Sequence, residues 1–234
     1  MKEKIEKTKI QKKPVFLFFA YIRYVSYIKS IRMVGMSEKR HILLDVLDST
    51  GITISVIFLC SVILAAPERH WLSAGFGIGF MYFWVYLVHK GIHHLPKDGI
   101  FQYINTHYLF HHQHDKLLDR RIELALETIT DASMSLSMLL IQWLTGIWLV
   151  PISVILFYAL TYTSTHIINY SIIGSETHRN HHKNTDTNYG PDTLDHLFGT
   201  SYDDKFEDLT PISLNAIGAF IIVFWLKQHF QWKN

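Results

Sequence analysis

Long apolar runs alternate along this chain with short, strongly polar segments. Four runs, 51–66, 71–88, 132–150 and 152 to about 170, are apolar on every face rather than along one stripe. They arrive as closely spaced pairs, separated only by residues 67–70 and by Pro151. A bilayer core takes about 20 apolar residues of helix, with a range of roughly 17–25. The second, third and fourth runs meet that length directly, and the first does so when it extends back toward Leu43. A final run, 211–226, is shorter and fits either a span or a helix lying on the surface. The pattern predicts an all-α integral membrane protein with about four transmembrane helices in two hairpins.

Ahead of these runs, residues 1–13 form a lysine-rich tail. The stretch from Pro14 to Gly35 sets Arg23, Lys29 and Arg32 among aromatic and aliphatic residues. Long cationic side chains on an apolar helix reach toward lipid headgroups, so this stretch reads as a helix in the interface plane. Charge interrupts it and no small-residue cleavage site closes it, unlike a secretory signal. Three regions follow: 1–40 as tail and interfacial helix, 41–210 as the membrane domain, and 211–234 as an apolar C-terminal helix.

Composition narrows the partners. Charged residues make up 18% of the 234 positions, against about 25% in soluble domains. A net charge of +2 without a basic stripe argues against nucleic acid. The single cysteine, Cys60, excludes an intrachain disulfide framework and a thiolate metal cage. Lys and Arg crowd the N-terminal region and the segments 89–121 and 179–205, while the two tight turns hold one arginine between them. The positive-inside rule then places the polar segments on the cytoplasmic side, of a bacterial inner membrane or the endoplasmic reticulum.

Those polar segments carry most of the 15 histidines. "HKGIHH" supplies His89 and His93, "HYLFHHQH" supplies His107, His111, His112 and His114, and "HRNHH" supplies His178, His181 and His182, while His166 stands alone in the fourth apolar run. An even number of spans separates the second and third clusters, so all of them meet at one membrane boundary as a helical histidine-cluster cap. His89 and His93, His107 and His111, and His178 and His182 are each four apart, which puts each pair on one helical face and aims it at one ion. His112 and His181 project at another angle, toward a second ion. Imidazole without thiolate suits iron, zinc, copper or nickel. His41, His70, His196 and His229 are isolated and read as ordinary hydrogen-bonded side chains.

The order H-x-x-x-H, a paired-His box and H-x-x-H-H after two apolar helices resembles the fatty acid hydroxylase / sterol desaturase superfamily. The tail "NTDTNYGPDTLDHLFGTSYDD" strengthens the likeness, with Asn188, Tyr189, Gly190, Asp195, Phe198, Gly199 and Thr200 on the family's pattern. Two departures stand out: the middle box has one residue too many, H-x-x-x-H-H, and Leu194 stands where a tryptophan is common. The resemblance implies two iron ions, replaceable by zinc on purification, that activate O2 to hydroxylate or desaturate a lipid taken from the bilayer. The substrate stays open among sterol, fatty acyl, carotenoid and ether lipid. The metal ligands are then His89, His93, His107, His111, His112, His166, His178, His181 and His182, with no catalytic residue beyond them. Asp186, Asn188, Asp192 and Asp195 are candidates to orient ring N–H groups from behind the ligands.

Such a reaction consumes electrons. The sequence shows no flavin fingerprint, haem domain or iron–sulfur cysteine set, so a separate donor of cytochrome or ferredoxin type is expected. Arg179, Lys183 and the 116–121 region offer it a basic rim. The competing class is a non-redox membrane metalloprotein, either a zinc-dependent lipid hydrolase or a metal transporter. No H-E-x-x-H supports the hydrolase, and ligands at helix ends rather than mid-membrane disfavour the transporter.

Overall fold

The apolar runs become long helices whose ends are set by identifiable side chains. The computed structural model describes residues 42–66, 71–101, 105, 107–112 and 119–230, and these contain helices and loops but no strand. The expected tail and interfacial helix, the turn 67–70 with His70, His41, His114 and residues 116–118 of the basic rim lie outside them. Helix α1 (Ile42–Ala65) starts where the length argument asked, and α2 (Trp71–His93) carries its apolar run straight into the first histidine cluster.

Helix α3 (Arg120–Thr145) sits earlier in the chain than the run 132–150 suggested. Asp119 starts it by accepting the Arg121 N–H at 2.8 Å. Gly146 ends it at φ 70, a left-handed conformation that glycine adopts without steric cost. The remaining apolar residues of that run form the connection to the next helix. Gln142 clamps this connection: its Oε1 accepts from Leu149 and Val150 at 2.8 and 2.7 Å, and its Nε2 donates to the Val150 carbonyl.

Helix α4 (Ile152–Ser164) is 13 residues long and runs without a break into a 10-residue π-helical segment, Thr165–Gly174. The expected fourth span is therefore split between two kinds of helix, with His166 in the wider one. Two short helices follow, α5 (Glu176–Lys183) and α6 (Asp192–Phe198), and then α7 (Ile212–Phe230). The C-terminal run is thus a 19-residue helix. By length and composition α1, α2, α3 and α7 are each able to cross a membrane.

Helix α4 packs against α3, α7 and α2. Its Val154, Ile155 and Phe157 meet Met138 of α3, Ala74, Ile78 and Met81 of α2, and Ala216, Ala219 and Val223 of α7 in one buried cluster. Small residues at such contacts let helix axes approach closely, which is how membrane helices gain packing energy. Polar stitches seat α1: Thr53 Oγ1 donates to the Leu209 carbonyl at 2.6 Å, and Lys227 Nζ donates to the Leu64 and Ala66 carbonyls at the helix end. The outward faces remain apolar, with Phe76, Ile129, Trp143 and Ile221 all exposed. Exposed apolar area on this scale needs lipid around it. The chain is a multi-pass membrane protein.

Candidate metal centre

Three structural decisions bring the histidines together. Helix α2 projects His89 and His93 from its last turn, α5 projects His178, His181 and His182, and between them a π-helical turn, Tyr108–His112, delivers the middle cluster. Asn105 anchors that turn, donating from Nδ2 to the Ile92 carbonyl at 2.8 Å and accepting the Tyr108 N–H at 3.1 Å. Ser175 starts α5 by accepting the His178 N–H.

The imidazoles form two adjacent groups. His89, His93, His107, His112 and His181 offer nitrogens that all lie within 4.8 Å of one another, and His111, His166 and His178 do the same together with Glu127. His182 joins the second group, its Nε2 lying 3.0 Å from both His111 Nε2 and His178 Nε2. Every histidine proposed above as a ligand is in or beside these groups. His196 instead stacks on Phe206, and His229 stacks on Trp225 in the last turn of α7.

The pairing differs from the helical expectation in one place. His107 and His111, four apart, face different groups, and His107 pairs with His112, Nε2 to Nε2 at 3.3 Å. The cause is the π-helix. Its i→i+5 hydrogen bonding widens the turn and absorbs one extra residue, so partners sit five apart. The surplus residue in the middle box is accommodated there, and His107 reaches His89 Nε2 at 2.9 Å while being 1% exposed. Tyr108 stacks on His112 instead.

Ring protonation shows what the groups are built for. His89 Nδ1 donates to the Tyr189 carbonyl at 2.5 Å, and His181 Nδ1 donates to the Thr187 carbonyl. A carbonyl only accepts, so both rings carry their proton on Nδ1 and turn a bare Nε2 lone pair inward. His89 Nε2 faces His107 and His93 at 2.9 and 3.1 Å, while His181 Nε2 is buried with no hydrogen-bond partner. Burial, reinforced by neighbouring rings, pushes His107, His111, His112 and His178 below the usual imidazole range, and burial does the same to His181. Neutral imidazoles with converging lone pairs repel unless a cation stands among them. The donor set fits metal ions.

Of the four residues expected to orient ring N–H groups, none contacts a clustered imidazole. Asp186 is exposed in a turn, its N–H donating to Asn184 Oδ1. Asp192 accepts the Glu207 N–H and lies 3.6 Å from His196. Asn188, at φ 51, bonds Thr177 and Tyr202 and shapes the turn. Asp195 accepts from the Tyr189 and Gly190 N–H groups and from Thr200 Oγ1, at 2.9, 2.6 and 2.7 Å. These side chains are spent on holding the tail, which then presents backbone carbonyls to His89 and His181. Tyr86 of α2 ties to the same knot through Thr200. The Tyr189 ring, 2% exposed, covers His89, His93 and His181 with centroids 5.7 to 6.1 Å away.

Sequence reasoning missed two carboxylates. Glu127 Oε1 lies 3.1 Å from His111 Nδ1 and 3.6 Å from His166 Nε2, and Asp131 Oδ2 lies 3.2 Å from His166 Nδ1. Their signal was present: two acids four apart in a largely apolar stretch. Starting the third span at Ala132 left them in the polar connection.

Beside the groups lies a pocket lined by Ile54 and Ile57 of α1, Tyr82 of α2, and Tyr158 and Tyr162 of α4, together with His89, His166, His178 and His181.

Residues 74–200 match the family model for fatty acid hydroxylase, over half of the chain. The chain belongs to the fatty acid hydroxylase family. Membership implies an oxidoreductase, and the clustered histidines are what a metal-dependent member requires. Among curated proteins and among solved structures the chain has no significant match.

Proposed function

We propose that this member of the fatty acid hydroxylase family is a di-iron, O2-dependent enzyme that hydroxylates or desaturates an apolar lipid drawn from the bilayer. The observation that carries the reading is the pair of adjacent nitrogen groups, in which Nδ1 protons are held by the Tyr189 and Thr187 carbonyls while Nε2 lone pairs converge. An aliphatic C–H has neither an acidic proton nor a leaving group, so side-chain acid–base chemistry cannot break it. Bound iron would supply the redox chemistry, and the protein supplies position and a dry cavity.

His89, His93, His107, His112 and His181 would hold one ion, and His111, His166, His178 and His182 the other. The cavity supports a lipid substrate. Its Ile54 and Ile57 wall belongs to a membrane-spanning helix, so an acyl or polycyclic group can lie along Tyr82, Tyr158 and Tyr162 and end at the imidazoles. Thr161 Oγ1, buried on the cavity wall without a hydrogen-bond partner, gives a polar substituent one place to bond. Tyr189 and the tail exclude water over the group that contains His89. Electrons come from a separate carrier at the face that bears the histidines, and the concentration of lysine and arginine beside them supports the cytoplasmic one.

Purified protein should contain two iron ions per chain and consume oxygen when given an electron donor and a lipid extract. A deletion strain should accumulate the unmodified lipid. Zinc-free protein reconstituted with two iron ions that consumes no oxygen with any donor would overturn the reading.

A further inference from the structure

The two nitrogen groups are not alike. The first is made only of imidazoles, while the second includes a carboxylate, Glu127, and has another, Asp131, directly behind His166. Both acids come from consecutive turns of α3 and are almost fully buried, at 1% and 0% exposure. Among the described residues no lysine or arginine forms a salt bridge with either. Ser171 Oγ donates to Glu127, but both Asp131 oxygens lack a hydrogen bond. A buried carboxylate so placed is costly unless positive charge stands near it, and its nearest polar neighbours are imidazole nitrogens that face the second group.

Resting on the di-metal reading above, we infer that Glu127 and Asp131 make the two metal positions chemically unequal, the one at His111, His166 and His178 being an anionic site and the one at His89, His93 and His181 a neutral one. A divalent ion in the second group would stand as the direct counter-charge to both acids. Glu127 reaches it either as a donor or through His111 Nδ1, at 3.1 Å, and Asp131 reaches it through His166 Nδ1, at 3.2 Å. A carboxylate behind a ligating imidazole fixes the ring and raises its basicity, and removing such a partner typically costs about 10–100-fold in metal affinity. Asp131 Oδ1 also lies 4.0 Å from His107 Nδ1 of the first group, beyond hydrogen-bond reach, and His89 and His181 of that group take their orientation from the Tyr189 and Thr187 carbonyls, so the loss should fall mainly on the second ion.

Cobalt(II) titration of metal-free full-length protein in detergent tests this without turnover. In the wild type the first and second equivalents should give different absorption spectra, since carboxylates stand in or directly behind one donor set while the other takes its ring orientation from backbone carbonyls. Glu127→Gln and Asp131→Asn should each weaken one equivalent by about 10–100-fold and leave the other in place. Two spectrally identical equivalents in the wild type overturn the inference whether or not the variants fold. So does an equal loss of both ions, or of neither, in folded Asp131→Asn protein. A wild type that binds a single equivalent overturns the di-metal reading itself, which separates the two failures.

Discussion

His166 is the residue whose surroundings say most about the site. It stands in an apolar helix, is 4% exposed, and meets His111 Nε2 at 3.1 Å on one ring nitrogen and Asp131 at 3.2 Å on the other. An ionisable side chain at that depth is expensive unless it has a partner or a task. His166→Ala should therefore lose about one of the two bound ions, read by metal analysis, and lose lipid oxidation while the protein still inserts and runs as a single species in detergent. His166→Gln, which keeps a hydrogen bond but not an imidazole donor, should behave the same way. Metal content near normal in the glutamine variant would make His166 a packing residue. Asp195 tests the opposite kind of role. Replacing it with alanine strips the acceptor from the buried Tyr189 N–H, from the half-buried Gly190 N–H and from Thr200 Oγ1, a loss of about 1–3 kcal/mol for an unsatisfied buried group. The melting temperature should fall, and because the Tyr189 carbonyl is released with the tail, one ion near His89 should become easier to chelate. An unchanged rate of metal release would confine Asp195 to stability.

At the scale of elements, the π-helical turn at Tyr108–His112 explains a feature that spacing alone left awkward. Deleting one residue between His107 and His111 would restore the shorter box and let the segment close as an ordinary α-turn. It would also rotate His107 by roughly 100° relative to His111 and His112. The deletion should thus lower bound metal and activity even though it matches the commoner pattern. Full activity would mean that the turn adapts to either length. Sequence periodicity made the long helices legible because a span of about 20 apolar residues is dictated by the bilayer. It made the histidine groups legible because an even number of spans must return the chain to one face. It did not show where α3 begins, since Arg120 to Asp131 mixes apolar residues with acids that turn inward, and an inward acid reads like a loop until its partner is known. Nor did it show that α4 would widen into a π-helix at Thr165, because hydrogen-bond register leaves no mark in apolar spacing. The role of the tail was half legible: its residues fit a pattern, but carbonyl groups, invisible in any sequence, do the work of holding His89 and His181.

For the whole molecule, the open question with the sharpest test is which side of the membrane carries the histidines. Charge asymmetry predicts the cytoplasmic side, because lysines and arginines concentrate in the segments that bear the clusters. The opposite end of the bundle is then the connection between α3 and α4, where Ile147 is 59% exposed. The chain's one cysteine, Cys60, is buried, so single engineered thiols at exposed sites report on a quiet background. Asp204→Cys, exposed in the loop after α6, and Ile147→Cys should therefore label oppositely with a membrane-impermeant maleimide. In intact bacterial cells from which the outer membrane barrier has been removed, Ile147→Cys should react within minutes and Asp204→Cys only after detergent is added. The reverse pattern would place the metal groups outside the cytoplasm, where electrons would have to come from a donor on that side. Equal labelling of both positions in sealed membranes would contradict the single-boundary topology on which convergence of the clusters rests. The same thiol variants, assayed for bound iron, give the control that the labelled protein is the folded one.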